Sequence, residues 1–179
     1  MEEFRAAGAN YEEKQELIQE IFDGYASKGK LESWYGMSDQ EIIEEEEDGA
    51  EFEDQTLQGV ITLEKELDNK HNAIKVLLTD VDNHKHHVGY VPKRMNKKVD
   101  TQMEYISRYD LDILGGREKI ISMDDNDNKY LYEDESELIL VVQPVDKEGN
   151  RTTKGKNTDW VSRGILTVIV LVVILKIVT

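Results

Sequence analysis

From Ile165 to Val178 only Thr167 and Lys176 interrupt a series of Ile, Leu and Val. With Trp160, Val161 and Gly164 ahead of it, the segment spans about 19 residues, roughly 28 Å as a helix, which matches the hydrocarbon core of a bilayer. A β-strand of that length would far exceed the ordinary range, although β-branched residues dominate. A helix satisfies its whole backbone in lipid, so the run reads as one transmembrane helix over residues 161–179. Lys176 lies near enough to the end to snorkel. Arg151, Lys154, Lys156 and Arg163 precede the span and almost nothing follows it. The positive-inside rule then places the N-terminal part in the cytoplasm, as in a single-pass, tail-anchored membrane protein. Met1 to Arg5 lead into polar and acidic residues, unlike a secretory leader.

What remains divides into a domain over residues 1–145 and a polar linker over 146–160. That length holds one core of ordinary size. The formal net charge is −16, unevenly spread. Residues 1–60 carry 18 acids against 4 bases, residues 61–100 carry 6 against 8, and the rest 14 against 10. A basic island therefore lies between acidic flanks. The overall field disfavours tight, sequence-independent binding of DNA. Cysteine is absent, which excludes disulfides and thiolate metal sites.

Hydrophobic spacing predicts a short strand at Phe4–Ala7 and a helix from about Tyr11 to Ala26. Asn10 and Glu13 resemble a capping box, and Leu17, Ile18, Ile21 and Phe22 share one face. Ser38 and Glu41 suggest a second cap. Glu44–Asp54 is nearly all acidic and reads as a solvated loop within an insertion over about 36–56, because its like charges disfavour a helix. Strands are predicted at Val60–Leu63, Ala73–Leu78, His87–Val91, Leu111–Leu114, Lys119–Met123, Tyr130–Tyr132 and Leu138–Val142. Pro92 suits a helix N-terminus, and Met95, Val99, Met103 and Ile106 follow on one face. Many short strands with two or three helices and no βαβ alternation give an α+β fold or a small barrel.

The stretch Leu67–Lys98 holds the densest basic cluster. The residues DNKHNAIKV, followed about a dozen positions later by VGYVPKRMNKKV, resemble the HIRAN domain. FRAAGANYEEKQELI is similar to the opening strand and helix of the stand-alone bacterial and phage form. The resemblance covers about residues 4–145. It implies a small antiparallel β-barrel related to the oligonucleotide-binding fold, and nucleic-acid binding. Relatives fused to helicases capture the 3′ end of single-stranded DNA by aromatic stacking and polar contacts to phosphates. By position, Tyr11 matches a stacking aromatic, Tyr90 a residue facing the ligand, and Lys93 a base near phosphate. Asn10 precedes Tyr11 where relatives can carry arginine. The loop Asp68–Asn72 departs from the family pattern: it is shorter by about two residues, His71 takes the aromatic place, and the following aspartate is missing.

The residues argue independently for the same place. A tyrosine face stacks on any base, and the lysines and arginine beside it meet phosphates. The site set is Tyr11, His71, Asn72, Tyr90, Lys93, Arg94 and Lys97. Tyr11 and Tyr90 taken singly read as half-buried packing residues, and the basic run taken singly as a solvated face. Lys93, Arg94, Lys97 and Lys98 fall in the first turns of the predicted helix, whose open N–H groups favour an anion. His84, His86 and His87 form a histidine-rich hairpin tip rather than a zinc site, since no further ligands complete four. No nucleophile–base constellation or Gly-rich phosphate loop is present, so the expectation is a non-enzyme without metal or other cofactor. Its partners are single-stranded nucleic acid, DNA before RNA, the membrane, and an unidentified protein. The alternative is an interaction adaptor at the membrane that has lost nucleic-acid binding and uses its acidic insertion to hold a basic partner.

Overall fold

The computed structural model describes residues 1–66 and 72–152. His71, the rest of the Asp68–His71 loop, the transmembrane helix expected over residues 161–179 and the expected linker beyond Thr152 lie outside the described residues. No helix among the described residues is long and apolar enough to cross a membrane. In chain order the elements are β1 (Phe4–Arg5), α1 (Glu12–Ser27), α2 (Asp39–Glu45), β2 (Gly49–Ala50), β3 (Thr56–Lys65), β4 (Ile74–Thr79), β5 (Lys85–Tyr90), α3 (Asn96–Gln102), β6 (Ile106–Leu114), β7 (Arg117–Met123), β8 (Lys129–Glu135) and β9 (Ile139–Asp146). The fold is α+β: a curled antiparallel half-barrel, a smaller sheet and three α-helices.

The main sheet runs β1-β9-β6-β3-β4-β5. Its curl follows from what the first seven residues do. Phe4 pairs with Val142 on β9, and the Ala6 N–H donates to Leu140 O at 3.0 Å. One residue on, Ala7 and Tyr90 exchange both backbone hydrogen bonds at 2.8 Å. The N-terminal segment is therefore laced to both ends of the sheet. Gly89 makes this approach possible, since a Cβ there would lie 2.8 Å from the Ala7 carbonyl oxygen and 3.4 Å from the Ala6 Cβ.

Alternation along β4 sends Ile74, Val76 and Leu78 inward, and Leu111, Ile113, Leu140 and Val142 answer from β6 and β9. The concave side is filled by α1 through Ile18, Ile21, Phe22 and Tyr25, one helical face. Each such side chain contributes about 1.5–3 kcal/mol of apolar burial. The Tyr25 hydroxyl donates to Thr79 O at 2.7 Å and ties the end of α1 to β4. At the other end Gln15 clamps the chain: its amide donates to Ala9 O at 2.7 Å and Leu138 O at 3.0 Å, and its oxygen accepts from the Leu138 N–H at 2.7 Å.

Several expectations are corrected. The N-cap of α1 is Tyr11, with no side-chain cap, so the Asn10–Glu13 box does not form. The Ser38–Glu41 box does form, complete in both directions. The acidic stretch is solvated as expected at residues 44–48 and at Asp54, but it is not all loop. Its first part is the end of α2, and Ala50, Glu51 and Phe52 are buried, the Phe52 ring standing edge-on to Phe22 at 5.9 Å. Bases from β7 and β8 make this possible. Arg117 grips Glu51 with two hydrogen bonds at 2.7 and 2.9 Å, Lys119 reaches Asp39 at 2.6 Å while lying over the Trp34 ring, and Lys129 pairs with Glu46. The helix expected after Pro92 is broken: Lys93–Met95 is a 3-10 turn, α3 spans seven residues, Met103–Tyr105 is again 3-10, and Ile106 opens β6. Val99 is the buried anchor of this segment. Residues 147–152 are not free linker, because Arg151 bridges to Val145 and pairs with Asp112 at 3.2 Å.

Substituting Gly89→Ala forces a Cβ against the Ala7 carbonyl, and overpacking of this kind costs about 1–3 kcal/mol. The expected outcome is a lower denaturation midpoint together with loss of hydrogen-exchange protection at the Ala7 and Tyr90 amides.

Candidate nucleic-acid interface

The Ala7–Tyr90 pair brings the turn Gly8–Tyr11 to the end of β5, three residues ahead of Lys93. Tyr11 is 70% exposed, and its ring edge lies beside the Gly8 Cα, where a Cβ would meet Cε2 at 3.4 Å. The expectation of half-burial thus fails for Tyr11 and holds for Tyr90, which is half-buried with its ring edge-on to His87 at 4.6 Å. The Lys14 ammonium, one turn along α1 from Tyr11, donates to the His87 carbonyl. Lys75 sits directly opposite Tyr90 in the β4–β5 ladder.

Lys93, Arg94 and Lys97 are exposed and make no ion pair among the described residues. Lys98 is held by Glu2 at 2.7 Å. Because α3 has seven residues and is preceded by a 3-10 turn, the expected anion site at a helix N-terminus is replaced by side-chain charge alone. Asn72 is exposed in a left-handed conformation, φ 49°, two residues before Ile74, whose carbonyl accepts from the Val91 N–H at 2.9 Å. It therefore lies at the same end of the sheet as Pro92 and Lys93.

Sequence reasoning missed Lys14 and Lys75. Lys14 stands three residues after Tyr11, hence on the same side of α1, and Lys75 lies in the Asn-Ala-Ile-Lys-Val run at the position out of phase with the buried residues. Lys75 is paired with Glu66 at 3.2 Å, and that carboxylate raises the ammonium pKa. The histidine-rich tip is organised by Asp80, which accepts from the Asp82 and His84 N–H groups at 2.9 Å and meets His86 Nε2 at 2.7 Å. The His86 contact is foremost in holding the Asp80 carboxyl at about 2. Among the described residues no group of three His, Asp or Glu side chains is placed to hold a metal ion.

No protein-family model, curated protein or solved structure matches the chain.

Burial, and after it the nearby Lys14 ammonium, lowers the His87 pKa, and its Nε2 has no hydrogen-bond partner. In the unfolded chain the ring takes up a proton near 6.5, in the folded chain only at lower pH. The unfolded state then binds more protons in that interval, so stability falls as pH drops below about 6.5. Chemical denaturation between pH 7.5 and 5 is expected to show this slope, and His87→Phe to flatten it.

Proposed function

We propose that this chain is a membrane-tethered nucleic-acid-binding module of HIRAN-like, oligonucleotide-fold type, without catalytic chemistry, that takes single-stranded DNA or DNA ends. Tyr11 stacks on a base, Tyr90 lines the same edge, and Lys93 and Arg94 meet phosphates, with Lys97 and Asn72 at the periphery. Lys14 extends the positive charge along α1, whereas the charge of Lys75 is balanced by Glu66.

The observation that carries this reading is a division of charge. The acidic segment, which would neutralise the basic turn if it folded over it, packs instead against Arg117, Lys119 and Lys129. Lys93, Arg94 and Lys97 are left exposed, and Tyr11 is exposed in the turn that follows the Ala7–Tyr90 pair. The same contacts give Asp39, Glu46 and Glu51 internal cations, while Glu44, Glu45, Glu47, Asp48 and Asp54 have no cation partner among the described residues and remain the surface that an adaptor would offer to a basic partner.

Titrating the full-length chain, in neutral detergent, with labelled single strands is expected to give saturable binding at low salt. Tyr11→Ala should weaken it by about 1–3 kcal/mol. Lys93→Ala with Arg94→Ala should lower the slope of log affinity against log salt by about 0.7 per lost phosphate contact. Equal binding by the triple variant would remove the proposal. Tethering through residues 161–179 has its own test in carbonate extraction of expressing cells. The full chain is expected in the pellet and a chain ending at Lys156 in the supernatant.

A further inference from the structure

The small sheet runs β2-β7-β8, so among the described residues β8 has no strand on its outer side. The β7–β8 register pairs residues whose numbers run from Arg117 with Glu135 to Met123 with Lys129. The bonds Asp124 N–H to Asn128 O and Ser136 N–H to Gly116 O extend that register and mark the even-numbered residues as the hydrogen-bonded pairs. In β8, Tyr130, Tyr132 and Asp134 therefore turn their backbone groups toward β7. Lys129, Leu131, Glu133 and Glu135 turn theirs outward. Of the outward N–H groups, that of Glu135 is taken by the Asp134 carboxylate. Those of Leu131 and Glu133 have no backbone partner among the described residues.

The two faces of the ribbon differ. Lys119 and Lys129 lie on the face toward α2, where they meet Asp39 and Glu46. Tyr130 and Tyr132 lie on the other face and are 46% and 45% exposed. Residues 117–135 contain seven acids and three bases. All three bases, Arg117, Lys119 and Lys129, are engaged by carboxylates outside the ribbon. The edge is thus a row of open backbone groups flanked by two tyrosine faces and an uncompensated set of carboxylates.

We propose that the free edge of β8 binds an extended, basic polypeptide segment as a fourth strand of the small sheet. Main-chain pairing at Leu131 and Glu133 supplies the ladder, as in strand-addition complexes. Arginine or lysine side chains on the tyrosine face lie over Tyr130 and Tyr132, and those on the opposite face meet Glu133 and Glu135. Nucleic acid is repelled by the same carboxylates. A second copy of the chain is disfavoured by a net charge of −16 on each molecule and by acidic side chains that guard this edge. This surface is separate from the basic turn at Lys93, and the proposal does not rest on nucleic-acid binding.

The test uses the full-length chain in neutral detergent and a fluorescein-labelled octapeptide of arginine and valine in the repeat Arg-Arg-Val-Val, which presents arginine on both faces of a strand. Saturable binding is expected, with none by the glutamate–valine counterpart. The same octapeptide N-methylated at every residue keeps its charge and loses its donors, and it should bind at least about tenfold more weakly. Glu133→Lys with Glu135→Lys should weaken the parent peptide to a similar degree. Lys93→Ala with Arg94→Ala should leave it unchanged. Hydrogen-exchange protection of β6 and β9 confirms that each variant is folded. Equal binding by the methylated peptide, indifference to the charge reversals, or sedimentation evidence that β8 is covered by a second copy would each overturn the proposal.

Discussion

The double pairing of the first seven residues is the constraint on which the rest of the structure rests. Phe4 is joined to the last strand and Ala7 to the end of β5, so one short segment holds both ends of the six-stranded sheet and sets its curl. The same segment delivers Tyr11 to the rim, starts α1 at the angle that fills the concave face, and brings Lys14 onto the His87 carbonyl. A single missing side chain at Gly89 gives the two backbones room to meet. Site and core are in this sense one piece of geometry.

Charge is partitioned with comparable consequence. An acidic chain of this kind has too few bases to neutralise every carboxylate, so what matters is where those bases go. Arg117, Lys119 and Lys129 fold the acidic segment down onto the small sheet, with Glu51 buried among Arg117, Ser33 and Gln19. A buried carboxylate with this many donors is compatible with folding, whereas removal of the arginine would leave it stranded. Lys93, Arg94 and Lys97 are left to solvent, while Lys75 and Lys98 are held by Glu66 and Glu2.

The strands were legible wherever one face is buried, because alternation at period two survives in Ile74, Val76 and Leu78 and in Leu138, Leu140 and Val142. Helix α1 and the Ser38 cap were legible for the corresponding reason at helical spacing. The failures share one cause, a partner distant in sequence. Gln15 takes the Ala9 and Leu138 backbone groups, and the chain enters α1 through Tyr11 without a side-chain cap. The acidic run folds because its cations arrive more than sixty residues later. Ile106 keeps the helical spacing of Met95, Val99 and Met103 yet belongs to β6, because its strand pairs with β9 through Asp146. Tyr11 and Lys93 were named from the sequence, but the pairing that brings their segments together had no local signal except a glycine inside a strand.

The lace between Phe4 and Val142 also bears on how the chain is made. Strand β1 finds its β9 partner only after nearly the whole domain has been synthesised, and the Thr152 hydroxyl then donates a hydrogen bond to the Met1 carbonyl. Contacts of such long sequence separation slow folding. Until that last strand emerges, the open ends of the sheet are bare, and the newborn polypeptide must be shielded there rather than folding piecemeal from its beginning.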